Sequence, residues 1–126
     1  MRLLVDTHIL LWQVLDDARL TGKIRQFLLD TSITIIVSDV SLWEVAIKVQ
    51  CGKLRMSVGA FDAHIGMQGF ERLSITRRHV LAVTNLPRHH NDPFDHMIIA
   101  QAMVEQIPVL TADQQFGAYP ISLAAA

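Results

Sequence analysis

Four carboxylates stand out by the company they keep. Asp6 ends the apolar run Leu3-Leu4-Val5, and Glu44 lies within a stretch of helical periodicity. Asp95 closely follows Asp92-Pro93, and Asp113 follows the apolar segment Pro108-Val109-Leu110-Thr111. Acids brought together in a partly buried site repel one another and raise each other's pKa, and a divalent cation relieves that repulsion. Hard oxygen donors with few histidines suit Mg²⁺ or Mn²⁺ better than zinc. An ion of that kind beside a phosphate activates a water, polarises a phosphoryl oxygen and steadies the leaving group, which is chemistry suited to phosphodiester cleavage. Each acid also has a plainer role. Asp6 could simply end a strand, and Glu44 has Lys48 four residues on as a surface partner. Asp92 reads as a helix N-cap, Asp95 complements a helix dipole, and Asp113 suits a turn or cap. Hydroxyls accompany the acids: Thr7 and Thr111 lie near Asp6 and Asp113, and Ser38 and Ser41 precede Glu44. Thr7, Ser41, Thr111 and Asp92 are candidates to orient the carboxylates that would hold the metal.

The elements that must carry these residues follow from pattern. Residues 2–5, 33–37 and 108–111 are short apolar or β-branched runs and read as buried strands. Residues 70–75 and 119–123 are weaker strand candidates. Helices are expected over about 8–16, 22–30 (capped by Thr21) and 39–51 (capped by Ser38). In the last of these, Leu42, Val45, Ala46 and Val49 make one apolar stripe, and Gly52 is a stop. Ser57 and Thr76 cap two more helices, and Asp92-Pro93 opens another that runs to about Gln106. Strands alternating with helices indicate an α/β fold whose mainly parallel sheet is covered on both faces. In such sheets ligands bind beyond the carboxyl ends of the strands. Asp6 and Asp113 follow strands directly, while Glu44 and Asp95 lie near helix starts, so topology places all four around one rim.

Length and composition set the limits. The 126 residues make one domain, 1–126, with a core of useful size. At 51% hydrophobic, the chain exceeds the usual soluble range, which fits a buried parallel sheet, an apolar partner surface, or both. No apolar run reaches the ~20 residues of a membrane span, and Asp6 and His8 interrupt the start before a signal peptide could form. The single cysteine, Cys51, excludes an internal disulfide and agrees with a cytoplasmic protein. A net charge of −1 means that nucleic-acid binding would need a local basic patch, a metal, or both. Arg77, Arg78 and Arg88 are candidates for such contacts because they flank the loop before Asp92. His89, His90 and His96 near Asp92 fit no standard zinc spacing. Trp12 and Trp43 suit core or dimer packing.

Taken together, the motifs resemble those of the PIN-domain family. Leu4-Val5-Asp6-Thr7-His8 with Leu11-Trp12 looks like the family's opening, and Ser38 to Lys48, containing Trp43-Glu44-Val45, looks like its second motif. His90-Asn91-Asp92-Pro93-Phe94-Asp95 is similar to the third motif and Leu110-Thr111-Ala112-Asp113 to the fourth, in the family's order and spacing. Within the family, the chain resembles VapC-type toxins of bacterial toxin–antitoxin pairs. The resemblance implies a three-layer α/β/α fold with about five strands and an Mg²⁺- or Mn²⁺-dependent endoribonuclease acting on RNA. Asp6, Glu44 and Asp95 would be the main metal ligands and Asp113 a more distant fourth. It also implies a homodimer and inhibition by a small antitoxin. Asn91 and His96 stand where arginine is usual, which removes fixed cations beside the site; His96 is a pH-dependent substitute. Two other readings compete. A phosphoacceptor receiver domain needs a lysine after a late strand, and none occurs after Lys53. A catalytically silent PIN-like module that binds RNA or protein would have little reason to keep all four acids.

Overall fold

The computed structural model describes residues 1–89 and 91–124. Its elements run β1 (Arg2–Val5), α1 (Thr7–Val14), α2 (Gly22–Leu29), β2 (Thr34–Ser38), α3 (Asp39–Gln50) and α4 (Val58–Met67). They continue with β3 (Glu71–Leu73), α5 (Arg77–Val83), α6 (Pro93–Glu105), β4 (Val109–Leu110) and a short 3₁₀ turn over Gln114–Ala118. The strands form one sheet in the order β3-β2-β1-β4. Every pairing is parallel, with Leu3 opposite Ile35, Leu4 opposite Val109, and Val37 opposite Arg72.

The parallel sheet follows from strands that are apolar on both faces. Leu3 and Val5 point one way, into a core with Ile35, Val37, Ile9, Leu10, Val45, Phe61 and Ile65. Leu4 and Ile36 point the other way, into a core with Val40, Ile98, Ile99, Ala102 and Phe116. Helices α1, α2 and α4 therefore cover one face and α5 and α6 the other, the expected α/β/α arrangement. The caps read from the sequence hold the helix starts. Side chains of Thr21, Ser38, Ser57 and Asp92 each accept a hydrogen bond from a first-turn backbone N–H. Thr76 forms a reciprocal capping box with His79. Gly52, at φ 76°, ends the chain's excursion from α3.

Two expectations need correction. Among the described residues the sheet has four strands rather than five: segment 119–123 contributes only a single parallel bridge, Val109 to Leu123. Pro120 has no N–H to donate, and Tyr119 is engaged in closing the preceding 3₁₀ turn, so pairing cannot extend. Helix α1 ends at Val14, two residues early, because Asp16 takes a left-handed conformation (φ 50°) and the Asp17 N–H turns back to the Trp12 carbonyl at 2.8 Å. No helix is long and apolar enough to cross a membrane among the described residues.

Candidate active site

The carboxyl edge of the sheet gathers the acids. The Asp6 N–H donates to the Leu110 carbonyl at 3.0 Å, a continuation of the β1–β4 pairing that sets Asp6 beside Thr111. The Thr111 hydroxyl then donates to Asp6 Oδ2 at 2.9 Å and accepts from the Asp113 N–H at 3.0 Å, so one side chain ties the first acid to the fourth. Strand β1 leads to β2 on one side and borders β4 on the other. The crevice between β1 and β4 is thus the point where strand order reverses, the favoured ligand position of an open α/β sheet.

Glu44 enters from the second turn of α3 and Asp95 from the first turn of α6. Asp6 and Glu44 are each 1% exposed and Asp95 5%. Burial at that level is rare for carboxylates without a partner. Yet Asp6 Oδ1, Glu44 Oε1 and Asp95 Oδ1 are buried and accept no hydrogen bond. Lys48 Nζ lies 2.9 Å from Glu44 Oε2 as an ion pair whose geometry falls short of an aligned hydrogen bond, which leaves that oxygen unsatisfied too. The surface-pair role of Glu44 is therefore incomplete: the lysine reaches inward to a buried acid.

Electrostatics show that the acids face one another. Asp95 is pushed up to about 8, first by burial and then by the negative charges of Asp6, Asp92, Glu44 and Asp113. Asp6 is also raised. Burial dominates there, opposed by His8 and the Thr111 hydrogen bond and reinforced by Glu44. Asp113 is half-buried, and its Oδ1 also accepts from the Gln115 N–H at 2.9 Å, so it caps the 3₁₀ turn while facing the cluster. Among the described residues, no group of three or more His, Cys, Asp or Glu side chains is drawn close enough to hold a metal ion as the side chains stand. What exists is an open cluster of oxygen donors with unshared buried lone pairs, a donor set that fits a hard divalent cation.

The supporting residues divide. Thr111 contacts two of the acids directly. Thr7 and Ser41 bond to each other at 2.8 Å, locking α1 to α3 rather than touching a carboxylate. Asp92 Oδ1 accepts from the N–H groups of Phe94 and Asp95, at 2.9 and 3.2 Å, and so fixes the turn that carries Asp95.

Arg77, Arg78 and Arg88, singled out for RNA contact, lie apart from the four acids among the described residues. His79, two and one residues after Arg77 and Arg78, sits 2.9 Å from Glu105 at the far end of α6. Ten residues of helix, ~15 Å, separate Glu105 from Asp95, so Arg77 and Arg78 lie at the end remote from the site. Arg88 donates to Asn91 Oδ1 at 3.1 Å. Arg88 and His96 share a hollow with Val83, Thr84 and Leu86, and none of the four acids lines it. His96 Nε2 faces the Tyr119 hydroxyl at 3.3 Å, as His89 stacks edge-on against the Tyr119 ring. His90 lies outside the described residues. Trp12 packs partly against the core, whereas Trp43 is 56% exposed and meets Phe94 edge-on at 5.1 Å, so core packing does not apply to Trp43.

Sequence reasoning missed the residues that give the site its opening. A groove of about 240 Å³ is lined by Asp6, His8, Trp12, Arg19, Ala112 and Asp113. The spacing of His8 and Trp12, four residues apart on one helix face, signals part of it; Arg19 is brought there by the loop after α1. A larger hollow of about 400 Å³, between the end of α6 and residues 120–122, has no charged side chain in its lining.

The chain is thus an all-parallel α/β/α domain with carboxylates gathered where its strand order reverses. The sequence matches the PIN domain over residues 3–121, and the chain belongs to that family. No curated protein sequence matches it. Among solved structures, it is similar to VapBC2 from Rickettsia felis, bound to a DNA fragment from its promoter. That likeness has a TM-score of 0.73 and 15% identity, and covers 98% of both chains. A toxin–antitoxin complex from Klebsiella pneumoniae matches with a TM-score of 0.66 and 15% identity, over 98% of this chain and 96% of that one. At this identity the two likenesses establish the shared fold.

Proposed function

We propose that this chain is a metal-dependent endoribonuclease and the toxin of a toxin–antitoxin pair. The observation that carries the reading is the set of buried carboxylate oxygens that accept no hydrogen bond on Asp6, Glu44 and Asp95, approached among the described residues only by Lys48 at 2.9 Å from Glu44 and His8 at 4.0 Å from Asp6. Asp6, Glu44 and Asp95 would hold Mg²⁺ or Mn²⁺, with Asp113 contributing from the rim. When bound, such an ion activates water and neutralises developing charge on the phosphoryl group. The chain's own residues prepare the place for it. Thr111 orients Asp6 and, through the Asp113 N–H, the loop that carries the fourth acid. Asp92 fixes the first turn of α6 and so the direction of Asp95. Lys48 holds Glu44 and lowers the repulsion that would otherwise drive it from the cluster.

Partners follow from the same reading. An antitoxin partner is supported by the likeness to toxin–antitoxin complexes. A homodimer belongs to the same reading, with exposed apolar side chains such as Trp43 on α3 and Leu81 on α5 available to it. A cytoplasmic setting belongs to the same reading and agrees with the single cysteine, Cys51.

The test is cleavage of total RNA by the purified protein with Mg²⁺, with Mn²⁺ and with EDTA, beside Asp95→Asn. Cutting that needs metal and disappears in the variant is the expected result. Binding of RNA without cutting, under every metal condition, would assign the chain instead to a silent PIN-like module.

A further inference from the structure

The groove beside Asp6 and Asp113 has a second wall whose parts are held in place with unusual care for a surface loop. Arg19 lies over the Trp12 ring, its guanidinium carbon 5.2 Å from the ring centroid. Asp17 grips the same guanidinium at two points, Nε at 3.1 Å and Nη2 at 2.8 Å, and also accepts from the Arg19 backbone N–H at 2.9 Å. The loop itself is stitched down, for the Asp17 N–H donates to the Trp12 carbonyl and the Leu20 N–H to the Asp17 carbonyl. Asp16 accepts a left-handed backbone to make that turn, a conformation that aspartate tolerates better than most residues. His8 sits on the groove side of Trp12, with ring centroids 6.2 Å apart.

This arrangement leaves donors free. A guanidinium carries five N–H groups, and the Asp17 clamp commits one on Nε and one on Nη2. Those on Nη1 and the second on Nη2 remain available, on a side chain that is 70% exposed. Arg19 is also the one permanent cation among the described residues that line this groove. The other cations with nearby partners do not line this groove: Lys48 is committed to Glu44, Arg88 to Asn91, Arg72 to Asp62, Arg2 to Glu71 and Arg25 to Asp16. An acidic cluster repels every phosphate of a polyanion except the one beside a bound cation, so a strand entering the groove needs a positive contact nearby. A fixed, planar, multi-donor cation is the side chain best suited to a phosphate.

We propose that Arg19, seated on Trp12 and clamped by Asp17, is a substrate-binding residue that holds an RNA backbone phosphate adjoining the one that reaches the acids. It would supply the fixed charge that Asn91 and His96 do not. Asp17 and Trp12 are its positioning residues. The inference rests on the nuclease reading above and names the substrate contact of that same groove.

The test uses the full chain as wild type, Arg19→Ala and Arg19→Lys. Binding of fluorescein-labelled RNA of mixed sequence is measured in Ca²⁺ over a range of salt, and KM and kcat for RNA cleavage in Mg²⁺ or Mn²⁺. Loss of one charge-assisted phosphate contact should weaken binding about tenfold. It should also flatten the dependence of log Kd on log salt by about one ion or slightly less. Arg19→Ala should raise KM with kcat near wild type, and Arg19→Lys should restore the salt slope while regaining only part of the affinity. If wild type binds RNA and Arg19→Ala binds with the same Kd and the same slope, the inference is overturned and the nuclease reading stands. Weaker binding with an unchanged slope would mark a disturbed loop and overturn it as well. A wild type that neither binds nor cuts RNA would overturn both.

Discussion

The cluster's own repulsion gives the sharpest prediction. In the metal-free protein Asp95 titrates near 8 rather than at its ordinary 3.8, because burial and four neighbouring acids oppose its charge. The folded state therefore holds one proton more than the unfolded chain between those values. With more protons bound in the folded state, stability falls as pH rises, by about 1.4 kcal/mol per pH unit for one proton. The loss begins above the unfolded value and is complete once pH passes the folded one. Asp95→Asn keeps the shape of the neutral acid and cannot ionise, so it should abolish this slope. Between pH 5 and pH 8 the variant should gain about 4 kcal/mol relative to wild type. At ~3–5 °C per kcal/mol for a chain of this size, that is a relative rise in Tm of more than 10 °C. The assay is urea and thermal unfolding of both proteins, stripped of metal by chelator, at half-unit steps of pH. Asp6, whose pKa is also raised, slopes the same way in wild type, and because its charge is among those acting on Asp95 the difference between the two curves reports the linked pair. Two curves that run parallel from pH 5 to pH 8 would mean that Asp95 ionises in the fold as easily as in water and that burial and its neighbours do not hold its proton.

Other perturbations follow from the same structure. Mg²⁺ or Mn²⁺ should stabilise wild type by about 2.7 kcal/mol at a hundred times its dissociation constant, and a thermal shift assay should show that gain lost in Asp6→Asn. Thr111→Val keeps the volume but removes the donor to Asp6 and the acceptor for the Asp113 N–H; urea denaturation should show a loss of about 1–3 kcal/mol. Phe61 is fully buried in the core beneath α4, and Phe61→Ala should reduce unfolding free energy by about 3–5 kcal/mol without altering metal binding measured by calorimetry.

Much of the architecture was legible in the residues alone. Strand β1 and the starts of five helices fall where apolar runs and capping residues put them, because both signals are local. A strand buried on both faces must be continuously apolar, and a helix start must satisfy its free N–H groups within a few residues. The same locality placed Asp6, Glu44, Asp95 and Asp113 at one edge, since an all-parallel sheet brings every strand's carboxyl end to one side. What the residues could not decide was reach. Glu44 with Lys48 reads as a surface pair until the fold buries the acid and draws the lysine inward. Arg77 and Arg78 look close to Asp92 along the chain, yet α5 packs with its start at the far end of α6. Arg19 gave no signal beyond its proximity to Asp17, and only the left-handed turn at Asp16 swings it over Trp12 toward the acids. The residues alone settled which elements form and at which edge the four acids gather, because hydrophobic burial and capping act over neighbouring residues. Tertiary structure decided which charges meet there, because Coulomb interactions depend on distances that only the packed chain sets.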